Sequence, residues 1–383
     1  MPTNRQQIMR RAAERGHAVV FVETGHHLGR HLIRLLRGPD RRSLARRLFS
    51  GERVQPGLVV RKATNVMPWG QRVRASNSVN GWASRLALRR VARSLPEPRV
   101  TWLYDPRATW AIGAFGDVFG VYDCVDDYAE QVPVGRARER VAAADRRAAR
   151  DARLVFTTTA ALFRRHVETN PKTFHVGNAA DFSHFARAAD RSIAREQLAR
   201  LPRPVLGFAG NFTSRKVDVT LLAQLADDDR GRSILLAGPV EDSLAAAFES
   251  LTRRPNVTWL GLVPYEELPT VVSAFDVGLI PYVENDYTHN VFPLKLFEYL
   301  AAGKPIVATG LPELAGMEPD VVLAHDLEEI EEAVAQVLEL GSQSDVERRQ
   351  ALAAKNTWEA RTERLLSLVS AEISASDDER NLA

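Results

Sequence analysis

The chain has 383 residues, too many for one ordinary hydrophobic core and enough for two domains of roughly 150 to 200 residues each. Hydrophobic residues make up 45% and charged residues 26%, which excludes a disordered or fibrous protein. The net charge is +3, but residues 1–100 carry 21 lysines and arginines against 5 acidic residues, and the remainder sums to −13. This asymmetry indicates that the N-terminal part faces a membrane, a phosphorylated lipid or a nucleic acid, or that it simply has an arginine-rich solvated surface.

The sequence contains neither a leader pattern nor a membrane-spanning pattern. Residues 1–11 contain three arginines with no apolar run behind them, and no stretch reaches the ~18 apolar residues that a span needs. Cys124 is the single cysteine, so an intramolecular disulfide and a cysteine-rich metal site are excluded. We expect a cytoplasmic protein without a metal ion.

Helices and short apolar strands alternate along the chain. A helix is predicted over 5–16, with strands at 18–23, 100–104, 118–122, 154–157 and 173–176. The pattern breaks between 177 and 204, and a second series follows with strands at 205–209, 234–237, 257–260, 277–280 and 306–308. Helices are predicted between them, for example over 217–226 and 293–302, and a last helix over 345–370. The sequence therefore predicts an α/β protein with two doubly wound, Rossmann-like parallel sheets.

One basic segment, His31–Phe49, interleaves leucines with arginines. Two short amphipathic helices broken at Gly38–Pro39 fit this pattern. Their apolar face could rest on an anionic leaflet, where each basic residue contributes about 1 kcal/mol. The alternative is that the leucines pack on the domain core.

Ligands of doubly wound sheets bind at the carboxyl ends of the strands, and glycine loops follow three of the predicted strands. After the strand at 205–209, a tight turn carries two cations that can meet phosphate. The next two loops place glycine where a strand ends. A glycine there permits close approach of the backbone to a flat ligand such as a nucleobase, or it is needed only for the conformation of the turn. The candidate residues in these loops are Gly210, Asn211, Arg215, Lys216, Gly238, Gly261 and Val263.

The strongest candidate follows the strand at 277–280. Pro293 suits the first turn of a helix, whose exposed N–H groups favour an anion. Lys295 adds a positive charge in the same turn. Glu298 lies one turn further, where a carboxylate can accept hydrogen bonds from both hydroxyls of a ribose.

The run PLKLFEYLAAGKPIVAT, preceded by GLVPYEELP and FDVGLIPY, resembles the C-terminal donor domain of GT-B-fold glycosyltransferases. The resemblance implies that Pro293, Leu294 and Lys295 bind the nucleotide diphosphate and that Glu298 holds the ribose. It also implies that Arg215 and Lys216 lie over the diphosphate and that Gly261–Val263 lies against the base. Retaining members usually have a glutamate eight residues before the ribose-binding one, but this chain has Asn290 there.

The resemblance extends over most of the chain and suggests its domain organisation. HVGNAADFSHF resembles the inter-domain segment of the family, and NTWEARTERLLSLV resembles its last helix. We expect an acceptor domain over 1–185, a donor domain over 186–355, a crossover helix over 356–373 and a polar tail over 374–383, with the domains facing a cleft. The family opens with a strand and a glycine loop, whereas this chain begins within or just before the first helix.

The catalytic candidates follow an apolar strand in the first domain, in the run YDCVDDY. This run resembles a branch of bacterial polysaccharide glycosyltransferases. An inverting transfer needs a carboxylate that deprotonates the acceptor hydroxyl, and Asp127 or Asp126 is the predicted base. Alternatively, these acids cap the next segment or bind Mg²⁺. His26 and His27 follow the first strand and are candidate acceptor contacts.

We therefore expect a transferase that moves a sugar from a UDP- or GDP-type donor to a glycan or lipid-linked acceptor, with no cofactor besides this nucleotide sugar. The alternatives are a nucleotide-sugar epimerase of the same fold, a donor-binding protein without catalysis, and a nucleic-acid-binding protein, although no nucleic-acid docking element is recognisable.

Overall fold

The computed structural model describes residues 3–23, 52–62, 74–228 and 231–381. They form two compact units: residues before 177 together with those after 361 make up the N-terminal unit, and residues 177–361 make up the C-terminal unit. The change at residue 177 lies upstream of the boundary after 185 that the sequence suggests. Segment 177–185 packs with the C-terminal unit because Ala180 forms a β-bridge with Thr357 and its N–H donates to the carbonyl of Asn356 at 3.1 Å.

The described part of the N-terminal unit contains two sheets. One has the order β1-β3-β2, with β1 (Val19–Glu23) parallel to β3 (Leu58–Lys62) and β2 (Glu52–Gln55) antiparallel to it. The other is parallel throughout: β4 (Val100–Leu103), β5 (Phe119–Cys124), β6 (Leu154–Thr157) and β7 (Thr173–His175). The helices are α1 (Asn4–Glu14), α2 (Arg74–Ala92), α3 (Arg136–Asp151) and α4 (Ala160–Val167).

The C-terminal unit is built on one six-stranded parallel sheet of order β10-β9-β8-β11-β12-β13. The strands are β8 (Val205–Ala209), β9 (Ser233–Ala237), β10 (Val257–Trp259), β11 (Val277–Pro281), β12 (Ile306–Thr309) and β13 (Val321–Leu323). The helices are α5 (Phe182–Ala186), α6 (Glu196–Ala199), α7 (Val219–Asp227), α8 (Ala245–Thr252), α9 (Leu268–Val272), α10 (Lys295–Ala301), α11 (Leu327–Leu338) and α12 (Gln343–Ala354). The predicted doubly wound α/β architecture is thus confirmed.

Two glycines let helix α10 and its neighbours pack directly on the central strands. A Cβ on Gly278 of β11 would lie 2.4 Å from the ring of Tyr299, and one on Gly207 of β8 would lie 2.1 Å from the ring of Phe275. The Tyr299 hydroxyl in turn accepts a 2.9 Å hydrogen bond from the N–H of Ala209, at the end of β8. This close packing fixes α10 relative to the carboxyl edge of the sheet.

The C-terminal helical region differs from the prediction of one helix over 345–370. It consists of α12 and a separate helix, α13 (Trp358–Asn381), which begins in the C-terminal unit and continues into the N-terminal unit. The break has a local cause: the side-chain amide of Asn356 donates to the carbonyl of Leu352, and the Thr357 hydroxyl accepts from the N–H of Ala360, so one helix ends and the next is capped.

The expected polar tail over 374–383 is helical as far as Asn381. Hydroxyls of this segment bond back to carbonyls one turn earlier, Ser374 to Ser370 and Ser376 to Glu372. Among the helices in the described ranges, none is long and apolar enough to cross a membrane.

Lys304, just before β12, is a lysine buried in the C-terminal unit, and its burial can be tested through the pH dependence of stability. Its ammonium is buried and donates to the carbonyl of Ser273 at 3.1 Å, and burial lowers the pKa of Lys304 to about 7. The folded-state pKa lies below the unfolded value, so between pH 7 and 10 the unfolded state binds more protons and this residue's contribution to stability rises with pH.

We predict that Lys304→Met stabilises the protein more at pH 7 than at pH 9, because a charged buried ammonium is removed at the lower pH. The gain in the free energy of unfolding should be about 2 kcal/mol larger at pH 7 than at pH 9, because one pKa unit corresponds to about 1.36 kcal/mol. Denaturant unfolding at both pH values measures it, with the exposed Lys355→Met as control. If Lys304→Met changed the free energy of unfolding equally at pH 7 and pH 9, the lowered pKa of Lys304 would be contradicted.

Candidate functional site

The three predicted glycine loops lie side by side at the carboxyl edge of the C-terminal sheet. The N–H of Gly210, after β8, donates to the carbonyl of Ala237 at 2.8 Å, and the N–H of Gly238, after β9, donates to the carbonyl of Gly261 at 2.7 Å. Trp259 reinforces the join by donating from its indole N–H to the carbonyl of Gly238 at 3.0 Å. Loops that are far apart in sequence therefore form one continuous backbone surface.

Position 238 requires glycine for two reasons, its backbone conformation and the lack of room for a side chain. Its φ of +135° belongs to the region that only glycine adopts readily, and a Cβ at this position would lie 1.8 Å from the carbonyl oxygen of Gly210. The glycine is therefore needed to join the first two loops.

The basic loop after β8 is held by groups that the sequence interpretation did not identify. The Glu241 carboxylate accepts from the N–H and hydroxyl of Ser214, at 2.9 and 3.1 Å, and these bonds lower the pKa of Glu241. The carbonyl of Arg215 accepts from the side-chain amide of Asn285 at 3.0 Å. Asn211 is exposed in the same loop, and Arg215 is half-buried.

Lys216 lies against two aromatic rings. Its ammonium is 5.6 Å from the ring centroid of Tyr282 and 5.9 Å from that of Tyr287, within the range of cation–π attraction. Because both tyrosines come from the chain that follows β11, they fix the basic loop against the segment leading into α10. The only sequence signal for this contact is the tyrosine directly after the strand.

Helix α10 begins later than predicted. Its first residue is Lys295 rather than Pro293, since the first intrahelical hydrogen bond of α type runs from the N–H of Glu298 to the carbonyl of Leu294. Pro293 is buried in the preceding turn, and its carbonyl accepts from Leu296 at 3.2 Å. The helix has seven residues, and anion binding at its N-terminus stays a prediction.

Lys295 and Glu298 form a buried ion pair one turn apart. The ammonium of Lys295 lies 2.5 Å from Oε2 of Glu298, and the two residues are 7% and 6% exposed. Separated from its partner, either charge would be strongly disfavoured in this environment. The pair thus holds an oriented carboxylate one turn after Pro293 and Leu294.

Two further predicted residues, Asn290 and Val263, make contacts of their own within the C-terminal unit. Asn290 ends a short 3-10 helix, and its side-chain amide donates to the carbonyl of Asp286 at 3.1 Å. Its neighbour His289 lies 3.3 Å from the Glu284 carboxylate through Nε2, an ion pair when the imidazole is protonated. Val263, in the loop after β10, is half-buried and packs against the core of the unit.

In the N-terminal unit the two candidate acids after β5 differ in environment. Asp127 is 2% exposed, and its carboxylate pairs with the Arg165 guanidinium at 2.8 Å and accepts from the N–H of Glu130 at 3.2 Å. Asp126 is half-buried, and its carboxylate accepts from the Gln131 amide at 2.6 Å and from the N–H of Asp127 at 3.0 Å. Burial is the largest single effect on Arg165 and opposes its charge, but the hydrogen bond with Asp127 and the nearby negative charges of Asp127 and Asp145 together raise the pKa of Arg165.

Behind these acids lies a buried polar cluster that the sequence interpretation missed. The Tyr122 hydroxyl donates to Asp145 Oδ1 at 2.5 Å, and His166 Nε2 lies 3.4 Å from Asp145 Oδ2. Burial lowers the pKa of His166 and raises that of the Cys124 thiol, so both groups are neutral near pH 7. Cys124 is 1% exposed, which agrees with a core residue rather than a nucleophile.

The remaining predicted contacts, His26, His27 and the segment His31–Phe49, lie outside the described residues.

Comparisons with known proteins show which sequences this chain resembles. Residues 203–340 match the family model described as glycosyl transferases group 1. The chain is 36% identical over 159 residues to a putative teichuronic acid biosynthesis glycosyltransferase, TuaH, of Bacillus subtilis, and 31% identical over 113 residues to a 2-deoxystreptamine glucosyltransferase of Streptomyces kanamyceticus. These alignments cover 40% and 28% of this chain, and only 38% and 28% of the two relatives.

Similar solved structures extend over nearly the whole chain. A sucrose-phosphate synthase from Thermosynechococcus elongatus has a TM-score of 0.70 at 19% identity, covering 97% of this chain and 92% of that one. Anabaena HepE in complex with UDP has a TM-score of 0.64 at 15% identity, with coverages of 92% and 99%. WaaG, a glycosyltransferase involved in lipopolysaccharide biosynthesis, has a TM-score of 0.61 at 15% identity and covers 94% of each chain. Residues 203–340 therefore resemble the glycosyl transferases group 1 family, and the chain that carries them has the GT-B fold.

Proposed function

We propose that the chain is a glycosyltransferase that moves a sugar from a nucleotide-diphosphate sugar to a glycan or lipid-linked acceptor. The buried Lys295–Glu298 pair carries the proposal, because it provides an oriented carboxylate and a cation. The joined glycine loops provide backbone groups at the carboxyl edge of the same sheet, where ligands of such sheets bind. The match of residues 203–340 to a glycosyl transferase family supports the same activity.

The proposed donor site divides into three parts. Glu298 accepts hydrogen bonds from the ribose hydroxyls; Arg215, Lys216 and Lys295 neutralise the diphosphate; Gly261 and Val263 lie against the base. Gly210, Asn211, Gly238, Asn290, Pro293 and Leu294 supply the surrounding backbone and side-chain surface. A uridine donor is favoured over a guanosine donor, since Anabaena HepE has been crystallised with UDP and with UDP-glucose.

The different environments of Asp126 and Asp127 support a choice between them as catalytic base in this proposal. Both the Arg165 guanidinium and a backbone N–H engage the carboxylate of Asp127, which is almost fully buried. Asp126 is more accessible, and its carboxylate accepts hydrogen bonds from the Gln131 amide and from a backbone N–H. We assign proton abstraction from the acceptor to Asp126 and the positioning of the 125–131 turn to Asp127.

The acceptor is proposed to be part of a cell-envelope polysaccharide, in keeping with the teichuronic acid role in the name of the Bacillus relative. Assembly on the cytoplasmic face of the membrane, with His31–Phe49 on the lipid surface, stays a prediction from the sequence.

The roles of the two acids can be separated by kinetics. We expect Asp126→Asn to lower kcat by about 10²–10⁴-fold, the usual contribution of a general base, with donor affinity unchanged. Asp127→Asn should instead lower the melting temperature, because it leaves Arg165 without its buried partner. Release of nucleoside diphosphate in the presence of acceptor measures kcat. Near-wild-type turnover in Asp126→Asn would overturn the assignment.

The ribose contact can be tested with UDP and 2′-deoxy-UDP. A hydrogen bond to a charged carboxylate contributes about 1.5–3 kcal/mol, so wild type should bind UDP about 10–100-fold more tightly than the deoxy analogue. Glu298→Gln should reduce this ratio to near unity. Glu284→Gln, an exposed carboxylate in the preceding loop, is the matched control and should preserve the ratio. An unchanged ratio in Glu298→Gln means that another group holds the ribose.

A further inference from the structure

Three side chains of types that commonly bind metal ions meet in the core of the N-terminal unit. Cys124 ends β5, Asp145 lies on α3 and His166 lies on α4. The Cys124 Sγ, a carboxylate oxygen of Asp145 and a ring nitrogen of His166 all lie within 4.8 Å of one another. All three residues are buried, so their polar atoms need partners inside the protein.

His166 does not find such a partner. The residue is only 1% exposed, and its Nε2 lies 3.4 Å from Asp145 Oδ2 without the geometry of a hydrogen bond. Among the described residues, no other group forms a hydrogen bond with this buried nitrogen. A buried polar atom that is left unsatisfied costs about 1–3 kcal/mol. Neutral imidazole carries a lone pair on one ring nitrogen and is the form of histidine that binds metal ions.

Asp145 places a carboxylate in the same buried cluster. Its Oδ1 accepts a hydrogen bond from the Tyr122 hydroxyl at 2.5 Å and lies 3.9 Å from the Cys124 Sγ. Within the described ranges, no lysine or arginine lies within ion-pair distance of Asp145. Buried charges in proteins are normally paired or coordinate a metal. A divalent cation held by this carboxylate, a thiolate and a neutral imidazole gives a site with no net charge.

The three ligand types and their distances suit zinc. Zinc is bound tetrahedrally by thiolate sulfur at about 2.3 Å and by imidazole nitrogen or carboxylate oxygen at about 2.0–2.2 Å. Neighbouring ligand atoms of such a tetrahedron are about 3.3–3.6 Å apart, which includes the 3.4 Å between His166 Nε2 and Asp145 Oδ2. Magnesium and calcium prefer six or more oxygen ligands, and this cluster offers sulfur and nitrogen instead.

Tyr122 holds the carboxylate in the orientation that a metal ligand needs. Carboxylates that bind metal ions are usually fixed by a hydrogen bond from a neighbouring group. The Tyr122 hydroxyl donates to Oδ1 of Asp145, and Oδ2 is the oxygen that faces His166. One oxygen is therefore anchored, while the other lies beside the imidazole.

We propose that Cys124, Asp145 and His166 bind one zinc ion in the core of the N-terminal unit. The Cys124 thiol releases its proton to solvent as the metal binds, and a water molecule takes the fourth position of the tetrahedron. The ion ties the end of β5 to α3 and α4 and so supports the 125–131 turn, which follows Cys124 directly. The inference is independent of the proposed function. The sequence expectation of a protein without a metal ion missed this site because its ligands lie on three separate elements and form no local spacing.

The first test is the zinc content of the untagged chain purified from cells grown with zinc, measured by inductively coupled plasma mass spectrometry. We expect about one zinc ion per wild-type chain and at least about tenfold less in Cys124→Ser and His166→Gln, because each substitution removes a ligand. His175→Gln changes an exposed histidine of the same unit and should retain the metal. A wild-type chain without zinc, or zinc that survives both ligand substitutions, would overturn the proposal.

Cobalt(II) gives a second readout that does not depend on the folding of a variant. The wild-type chain produced in cells grown with cobalt should show a thiolate-to-cobalt charge-transfer band together with the visible bands of tetrahedral cobalt. Because Cys124 is the single cysteine, such a band can come only from this site. Cobalt-loaded chain without the charge-transfer band would show that the metal lies elsewhere and would rule out the site.

The role of Tyr122 can be tested in the same way. Tyr122→Phe removes the hydrogen bond on Asp145 and should weaken metal affinity by about 10–100-fold while preserving the charge-transfer band. Unchanged affinity in Tyr122→Phe would count against Asp145 as a ligand. None of these measurements involves a nucleotide, so failure here is distinguishable from failure of the proposed function.

Discussion

The candidate donor site depends on the backbone hydrogen bonds that join three loops at the carboxyl edge of the C-terminal sheet. Gly210 donates to Ala237 and Gly238 donates to Gly261, so the loops after β8, β9 and β10 form one surface. Because a side chain at position 238 would collide with the carbonyl of Gly210, these bonds require glycine. In the proposed donor site, these loops contribute main-chain groups, which are positioned by the sheet rather than by mobile side chains.

The buried Lys295–Glu298 pair adds charge to this surface. Burial of two charges is costly, and replacing such a pair with apolar residues often stabilises a protein. Its presence on a short helix fixed by Tyr299 and Gly278 therefore supports the proposed role of the pair in donor binding. The two acids of the N-terminal unit also differ in their surroundings. Asp127 is buried and paired with Arg165, whereas Asp126 is more accessible.

Much of this arrangement could be predicted from sequence because apolar strands followed by glycine have a strong local pattern. The loops at Gly210, Gly238 and Gly261 and the helix that carries Glu298 were all identified in this way. Contacts between distant segments could not be predicted: the tyrosines beside Lys216, the carboxylate of Glu241 on Ser214, and the Tyr122–Asp145–His166 cluster have no local pattern. The break at 355–357 was missed because it depends on capping by Asn356 and Thr357.

The crystal structure of the protein with bound UDP would test the central claim most directly. The account predicts the diphosphate between the 210–216 loop and Lys295, with both ribose hydroxyls at about 3 Å or less from the Glu298 carboxylate, the distance of a charge-assisted hydrogen bond. UDP bound away from the carboxyl edge of this sheet, or a ribose without contact to Glu298, would contradict it.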